Sequence, residues 1–272
     1  MTDFSALDNA GLTNALTAAK SQQALFDADM AIGNDFNQGL KNQFDAVAQN
    51  FPIVKVIWSI FEDWHEVVYL LKNLALRLFA LDWIEQFDVW LGPGQNGKGL
   101  LLRILRELFG TYYTEMKVAI LCERGRSADS PSPAWMELRG CRLATIAEAE
   151  ISQALDSATV KTLRDQSTII SSRDLRQSTV HWQPQFGMVI CSNIKLKFTS
   201  SDGGIERSIS VMPFKFKFTG APTQPNHRRC DPALKSAASI TALTPQLLYV
   251  LMKVTFCFLN INNILMCLCS VL

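Results

Sequence analysis

Leu91-Gly92-Pro93-Gly94-Gln95-Asn96-Gly97-Lys98-Gly99 is the stretch of sequence that decides the fold. It follows an apolar run at residues 87–91 and precedes a helical pattern at residues 100–109, which gives the order strand, glycine loop, helix. Glycines let backbone N–H groups turn toward phosphate oxygens, while a helix N-terminus and a lysine supply positive charge. The spacing is that of a P-loop, GxxxxGK. We therefore expect nucleotide phosphates to be bound by Gly92, Pro93, Gly94, Gln95, Asn96, Gly97, Lys98 and Gly99.

Gly99 stands where a P-loop usually carries Ser or Thr. That hydroxyl normally ligates Mg²⁺, so the metal would need another ligand or a water at this position. The sequence therefore predicts nucleotide binding more directly than it predicts hydrolysis. A plain glycine-rich turn is the alternative interpretation, and the lysine in register between a strand and a helix favours the P-loop.

Composition places the chain among ordinary globular proteins. It has 272 residues, of which 48% are hydrophobic and 19% charged, enough for one large domain or two small ones. The net charge is +1, but the first 50 residues carry −4, which leaves +5 on the rest of the chain. A modestly basic body is compatible with a DNA channel and does not require one.

The cysteines and histidines predict neither disulfides nor a zinc site. The seven cysteines form no CxxC pair, and the three histidines lie far apart. Residues 1–10 are polar and lack the basic start of a signal peptide. We therefore expect an intracellular protein with reduced thiols.

Three regions are predicted along the chain: a helical N-terminal region at 1–86, a nucleotide-binding core at 87–220 and a C-terminal tail at 221–272. Strand patterns alternate with helical patterns in the core, which predicts an α/β fold with a mainly parallel sheet flanked by helices.

The tail changes character, because residues 254–272 contain no charge. Three interpretations stay open for this segment. It is long enough to cross a membrane, it could be a buried C-terminal element, or it could be sequence foreign to the domain. The third explains the abrupt shift in composition best.

Four polar side chains lie at the ends of predicted strands in the core. Glu148 and Glu150 close a short apolar strand and, being two apart, point to the same side. Asn193 follows an apolar run at 186–191, and Arg207 precedes another. ATP hydrolysis needs an acid for Mg²⁺ or water, a polar group near the γ-phosphate and a positive charge for the transition state. Taken singly, the two acids are equally a solvated strand end, whereas such an asparagine is usually a turn residue and a single arginine is usually a surface residue.

Taken together and in order, five segments resemble the superfamily 3 helicases. They are GPGQNGKG, CRLATIAEAE, VKTLRDQSTIISSRD, FGMVICSN and SDGGIERSISVMPFKFKF. Within that superfamily the chain is similar to the helicase domain of the primase–helicases of phages, poxviruses and giant viruses. The resemblance covers residues 87–218.

The resemblance implies an AAA+ core that binds ATP and Mg²⁺, assembles as a ring, usually a hexamer, and moves on single-stranded DNA during replication. It implies that Lys98 belongs to Walker A, Glu148 is the Walker B acid with Glu150 as its neighbour, and Asn193 is the sensor. Arg207 matches the finger that reaches the neighbouring subunit's ATP. The following residues match the family's segment for DNA contact and coupling: Lys161, Asp165 and Arg173. A primase partner and a cytoplasmic, nuclear or viral replication site are also implied.

The chain departs from the family pattern at several points. Gly99 replaces the hydroxyl residue, and Ser208 stands where a second arginine often follows the first. No primase motif precedes residue 90 and no winged-helix pattern follows residue 241, so we expect a fragment. Two alternatives therefore remain: a degenerate ATP-binding relic without helicase activity, and a P-loop protein anchored in a membrane by residues 247–272. The resemblance itself predicts no membrane partner.

Overall fold

The computed structural model describes residues 51–79, 86–123, 131–147, 154–200 and 203–259. The elements in chain order are α1 Pro52–Phe61, α2 Trp64–Leu78, β1 Phe87–Leu91, α3 Lys98–Phe109, a 3₁₀ turn Gly110–Tyr112, β2 Tyr113–Glu115, α4 Ala119–Cys122, α5 Pro133–Met136, β3 Leu143–Ile146, α6 Ser157–Arg164, β4 Ile170–Ser172, β5 Val180–Trp182, β6 Gly187–Ser192, α7 Gly203–Ser208, β7 Ile209–Pro213, β8 Lys217–Thr219, β9 His227–Arg229, a 3₁₀ turn Pro232–Lys235 and α8 Ala237–Leu259.

A five-stranded parallel sheet in the order β2-β3-β6-β1-β7 forms the centre of the fold. Strand β1 lies between β6 and β7, and its first four residues are buried. Parallel strands covered on both faces are expected to be this apolar. The predicted α/β fold with a mainly parallel sheet flanked by helices is confirmed.

Helices cover both faces of the sheet. Trp90 points into a hydrophobic cluster formed with α1, α2, α3 and α8, while Phe87 and Val89 point into a second cluster with α4, α5 and α6. This alternation along β1 is the two-residue period of a strand. The sheet therefore separates two cores, and the loop after β1 emerges at its carboxyl edge.

The junction between α1 and α2 is a sharp elbow of two residues. Pro52 begins α1, and the helix ends at Glu62, whose φ of 48° is left-handed. Asp63 then caps α2, because its carboxylate accepts hydrogen bonds from the backbone N–H groups of His65 and Glu66. The elbow fixes the C-terminal end of α1 beside the sheet.

A buried ion pair joins α2 to β1. Arg77 Nη2 lies 2.7 Å from Asp88 Oδ2, and both side chains are almost fully buried. Tyr69 Oη donates to Asp88 Oδ1 at 2.8 Å. Burial, followed by the negative charge of Asp88, raises the pKa of Tyr69 to about 12. Gly187 at the start of β6 leaves the room that the Arg77 side chain occupies.

The last described helix, α8, packs on α1, α2 and α3. Its buried stripe joins the first core cluster through Ile240, Leu243, Leu247, Leu251 and Val254. Among the described residues, Ala237–Thr255 is long and apolar enough to cross a membrane, but length and composition alone are weak evidence. The packing instead gives this part of the tail a place in the core, while residues 260–272 lie outside the described residues.

Candidate phosphate-binding site

The loop between β1 and α3 has the geometry that its glycines require. Gly97 has a φ of +94°, and a β-carbon at this position would lie 2.8 Å from Ile60 Cγ1. A β-carbon on Gly92 would overlap the carbonyl oxygen of Phe214. Gly94 and Gly99 face open space, since nothing lies within 4 Å of a β-carbon there. Two glycines are therefore fixed by packing, and the other two leave room on the open side of the loop.

Lys98 is the residue on which the site converges. Its Nζ donates to the Gly92 carbonyl at 2.5 Å, to the Ser192 carbonyl at 3.1 Å and to Asn193 Oδ1 at 3.1 Å. Only 9% of the residue is exposed. The ammonium group thus bridges the carboxyl ends of β1 and β6. These three oxygens belong to neutral groups, so an anionic phosphate oxygen would be a stronger partner for the ammonium.

One neighbour of Lys98, the thiol of Cys191, adds no negative charge to the site near pH 7. Cys191 lies beside Lys98, and burial raises the pKa of its thiol to about 12 even though the lysine charge opposes the shift. The thiol therefore stays neutral near pH 7. Cys191 therefore does not neutralise the charge of Lys98.

Asn96 supplies a further polar group under the loop. The residue is 3% exposed, and within the described part of the chain its Nδ2 has no hydrogen-bond partner. Buried amide donors are normally satisfied. Together with the helix N-terminus at Lys98, this donor fits a loop that holds an anion.

The segment after β7 closes the back of the loop. Phe214 donates its backbone N–H to the Leu91 carbonyl at 2.7 Å, and its ring packs on Trp90 and Phe61. Phe218 donates its N–H to the Gln95 carbonyl at 2.7 Å. Strand pairing and these two hydrogen bonds hold the loop at its base and at its tip.

The structure brings Asn193 to Lys98, as the sequence predicts. Strand β3 runs parallel to β6 and ends at this same edge, with Ile146 in register with Ile190. The two predicted acids, Glu148 and Glu150, lie outside the described residues. In the described ranges no group of three or more His, Cys, Asp or Glu side chains could hold a metal ion. These ranges therefore supply a lysine and amide donors suited to an anion, but no carboxylate set for Mg²⁺.

Arg207 lies at the opposite edge of the sheet. It precedes β7, and its carbonyl accepts a hydrogen bond from Gln86 Nε2, just before β1. From Ile209 to Pro213, strand β7 is about 13 Å long, which exceeds the reach of an arginine side chain. The exposed Arg207 therefore does not meet the Lys98 site of its own chain.

Two of the predicted coupling residues, Lys161 and Asp165, lie in α6 and directly after it, and the end of this helix contacts the amino edge of the sheet. Arg164 Nη1 donates to Ser208 Oγ at 2.6 Å, which ties the end of α6, and with it Lys161, to the start of β7. Asp165 accepts hydrogen bonds from the Ser167 and Thr168 hydroxyls at 2.6 and 2.8 Å. These bonds, led by the Ser167 hydroxyl, lower the pKa of its carboxyl group. The Asp165 carboxylate is thus used within its own turn.

Arg173 follows β4, which pairs with β5 in an antiparallel hairpin outside the central sheet. Its carbonyl accepts the backbone N–H of Ser132 at 2.9 Å. The hairpin continues through Leu175 and Arg176, both exposed. The structure therefore separates the predicted residues into a phosphate group at the carboxyl edge, an α6 and Arg207 group at the amino edge, and this hairpin.

Sequence reasoning did not identify the backbone acceptors and braces of the site. The Ser192 carbonyl, the Phe218 N–H and the Ile60 side chain all contact the loop or its lysine. A backbone group does not depend on the residue type, so the sequence does not reveal it. Ile60 is one of several apolar residues in its helix, and its sequence position does not distinguish it from the others. The resembling segment SDGGIERSISVMPFKFKF includes residues 213–214, which lie on this side of the loop.

Comparisons with known proteins give distant viral relatives. A protein named as a helicase in Acanthamoeba polyphaga mimivirus is 30% identical over 150 residues, covering 55% of this chain and 16% of that protein. One named as a primase in African swine fever virus is 27% identical over 147 residues, covering 53% and 15%. One named as a helicase in Frog virus 3 is 24% identical over 174 residues, covering 61% and 18%. The chain thus spans less than a fifth of each. No family model matches it.

Among solved structures, the apo form of the NrS-1 C terminal region matches with a TM-score of 0.51 and 14% identity. The match covers 73% of this chain and 43% of that one. At this identity the likeness concerns the fold, which it supports independently of the sequence motifs.

Proposed function

We propose that this chain is the ATP-hydrolysing core of a replication helicase of the superfamily 3 type, which works as a ring on DNA. The observation that carries the proposal is the position of Lys98. Its ammonium lies at the carboxyl edge of a parallel sheet, where it joins the phosphate-type loop to the end of β6 and to Asn193. Ligands of open α/β sheets bind at this edge. The viral relatives, named as helicases and primases, favour a replication role over other P-loop chemistries.

In this proposal each side chain at the carboxyl edge has a separate task. The loop N–H groups and Lys98 bind the β- and γ-phosphates, and Lys98 leaves its carbonyl partners for the anion. Asn193 is already beside the ammonium and senses the terminal phosphate. Glu148 would hold Mg²⁺ and polarise water, with Glu150 beside it; Mg²⁺, when bound, would neutralise the phosphate charge.

The positive charge for the transition state would come from a neighbouring subunit. Arg207 lies about 13 Å of strand length from the edge that carries Lys98, so one chain cannot place both groups on the same phosphate. An exposed position at the opposite edge suits a residue that reaches into the next protomer. The proposed hexameric ring follows the family resemblance and this separation.

DNA contact is assigned to the amino edge and the β4–β5 hairpin. Lys161 and Arg173 would contact phosphates of single-stranded DNA, with little reading of bases. Asp165 is more consistent with a role in holding the turn after α6, because its oxygens accept from Ser167 and Thr168.

The first test is nucleotide binding and DNA-stimulated ATPase activity of Lys98→Ala. We expect loss of both, while Lys195→Ala, which removes an exposed lysine close in sequence to Asn193, retains both. The proposal is wrong if the wild-type chain binds no ATP analogue, or if Lys98→Ala binds it as well as wild type does.

The second test is complementation between inactive variants. Lys98→Ala and Arg207→Ala should each lack ATPase activity alone. Mixed in equal amounts they should recover part of it, because an intact Lys98 in one subunit can meet an intact Arg207 in the next. Mixtures as inactive as the separate variants would argue against a shared site.

The second candidate function is a nucleotide-binding relic without turnover, which Gly99 favours. This chain would then bind ATP with the same loop, but hydrolysis and complementation would both be absent. Binding and turnover measured on the same preparation distinguish the two candidates.

A further inference from the structure

Gln95 at the tip of the phosphate loop is held in an uncommon conformation. Its φ is +65°, in the left-handed region that residues other than glycine seldom adopt. Such a conformation persists only where the surroundings impose it. A hydrogen bond holds this residue from the neighbouring segment: the Phe218 N–H donates to the Gln95 carbonyl at 2.7 Å.

Phe218 is in turn held by the pairing of β8 with β9. The two three-residue strands are parallel, and Phe218 is the register partner of Arg228. An isolated pair of strands this short is marginal by itself. Its position therefore depends on what anchors Arg228.

Arg228 is anchored to the elbow between α1 and α2. Its Nε and Nη2 donate to the two carboxylate oxygens of Glu62 at 2.6 and 2.7 Å, a bidentate arrangement. The guanidinium also lies 4.0 Å above the ring of Phe216. The hydrogen bonds from Arg228, helped by its charge, lower the pKa of Glu62, so the pair is ionised near pH 7.

The same end of α1 contacts the loop directly. Ile60 packs against Gly97 at the base of α3. The end of α1 therefore meets the loop at two points: directly through Ile60, and through Glu62, β9 and β8 at Gln95. An ion pair distant in sequence from the loop is thereby connected to the orientation of the loop's tip.

We propose that Glu62 and Arg228 are positioning residues for the nucleotide: their bidentate pair holds β8 and β9 so that Phe218 sets the tip of the phosphate loop. The inference rests on the proposed function, because it assigns a role in the affinity of that same site. Neither residue touches the phosphates. Breaking the pair loosens Gln95, and the loop must then be ordered when the nucleotide binds.

The predicted effect is on affinity and not on the chemical step. An exposed ion pair with good geometry contributes up to about fivefold in an equilibrium constant, so we expect a rise of about threefold in the Kd for ATP. The same rise should appear in KM, with kcat unchanged, because Lys98 and Asn193 keep their places. A purely structural role would lower the unfolding midpoint without this division between KM and kcat.

The experiment uses the full 272-residue chain and fluorescence titration with mant-ATP. Glu62→Gln, Arg228→Gln and the double variant are compared with wild type. We expect each single variant to weaken binding about threefold, and the double variant to be no weaker than either, because all three remove the same pair. Glu115→Gln is the control, since it breaks the exposed pair with Arg106, which has no link to the loop tip.

The possible outcomes distinguish a failure of this inference from a failure of the proposed nucleotide binding. If wild type does not bind mant-ATP, both fail. If wild type binds it and Lys98→Ala does not, while Glu62→Gln binds as tightly as wild type, the positioning role alone is wrong. Additive losses in the double variant would also overturn it, as would an equal loss in Glu115→Gln.

Discussion

The packing of Gly97 against Ile60 makes a quantitative prediction for Gly97→Ala. A residue other than glycine with φ near +94° costs about 1–2 kcal/mol. The new β-carbon would also lie 2.8 and 2.9 Å from Ile60 Cγ1 and Cδ1, and overpacking in a filled core costs about 1–3 kcal/mol. The free energy of unfolding should therefore fall by about 3 kcal/mol. At a urea slope of about 2 kcal/mol/M, the midpoint falls by about 1.5 M.

Equilibrium unfolding in urea, followed by tryptophan fluorescence, measures this loss. Gly94→Ala is the matched control in the same loop, because nothing lies within 4 Å of its β-carbon, and we expect a change within about 0.5 kcal/mol. Ile60→Ala separates the two costs. In that background the clash is gone, and Gly97→Ala should cost only the backbone share of about 1–2 kcal/mol.

Two results would refute this reasoning. An unfolding midpoint for Gly97→Ala equal to that of Gly94→Ala would show that neither the left-handed backbone nor the clash matters. An equal cost in the wild-type and Ile60→Ala backgrounds would show that Ile60 does not brace the loop.

Further predictions follow from the ion pairs and from the position after the lysine. Asp88→Asn leaves the Arg77 charge buried without its partner and should lower the free energy of unfolding by about 3–5 kcal/mol in urea; a loss below about 1 kcal/mol would contradict it. Gly99→Ser fits without contact and should change the ATPase kcat less than about twofold, whereas a gain of about tenfold would identify the wild type as a degenerate enzyme. Hydrogen bonds from Arg228 lower the pKa of Glu62 below its ordinary 4.5, so the pair stabilises the fold above about pH 4.5 and loses this contribution as the pH falls through the lowered value. Glu62→Gln should therefore abolish that part of the pH dependence of the urea midpoint. A pH profile identical to that of wild type would contradict the prediction.

The sequence predicts the parts of the fold that have a local signature. Apolar runs bounded by turn residues predict β1, β6 and β7, and the pattern at residues 100–109 predicts α3, which begins at Lys98. Asn193, which the family resemblance marks as the sensor, contacts Lys98, since parallel strands place their carboxyl ends at one edge. Strand β4 at Ile170–Ser172 lies within the resembling segment VKTLRDQSTIISSRD, but it pairs in a hairpin and not in the central sheet. Periodicity reports burial and not the identity of the pairing partner.

Other features have no local signature because they join distant segments. Arg77 and Asp88 form a buried ion pair, but each stands in an apolar stretch of sequence. Nothing in the sequence around either residue indicates that its charge is buried. Glu62 and Arg228 are 166 residues apart. Composition left three interpretations open for the tail, and the described stripe of α8 up to Val254 packs in the core. Tertiary packing decides such cases, and only the folded chain shows it.

The separation of the two sheet edges has a consequence for how the proposed activity is controlled. Lys98 and Asn193 are assembled within one chain, so the proposed triphosphate site is formed by a single protomer. Arg207 is held at the far end of β7 by the same strand that supports the loop through Phe214. A shift of β7 caused by nucleotide binding would therefore move Phe214 at one edge and Arg207 at the other. One rigid strand then connects the phosphates of one subunit to the residue proposed to act on the next, which is a direct physical route for coordinating hydrolysis around a ring.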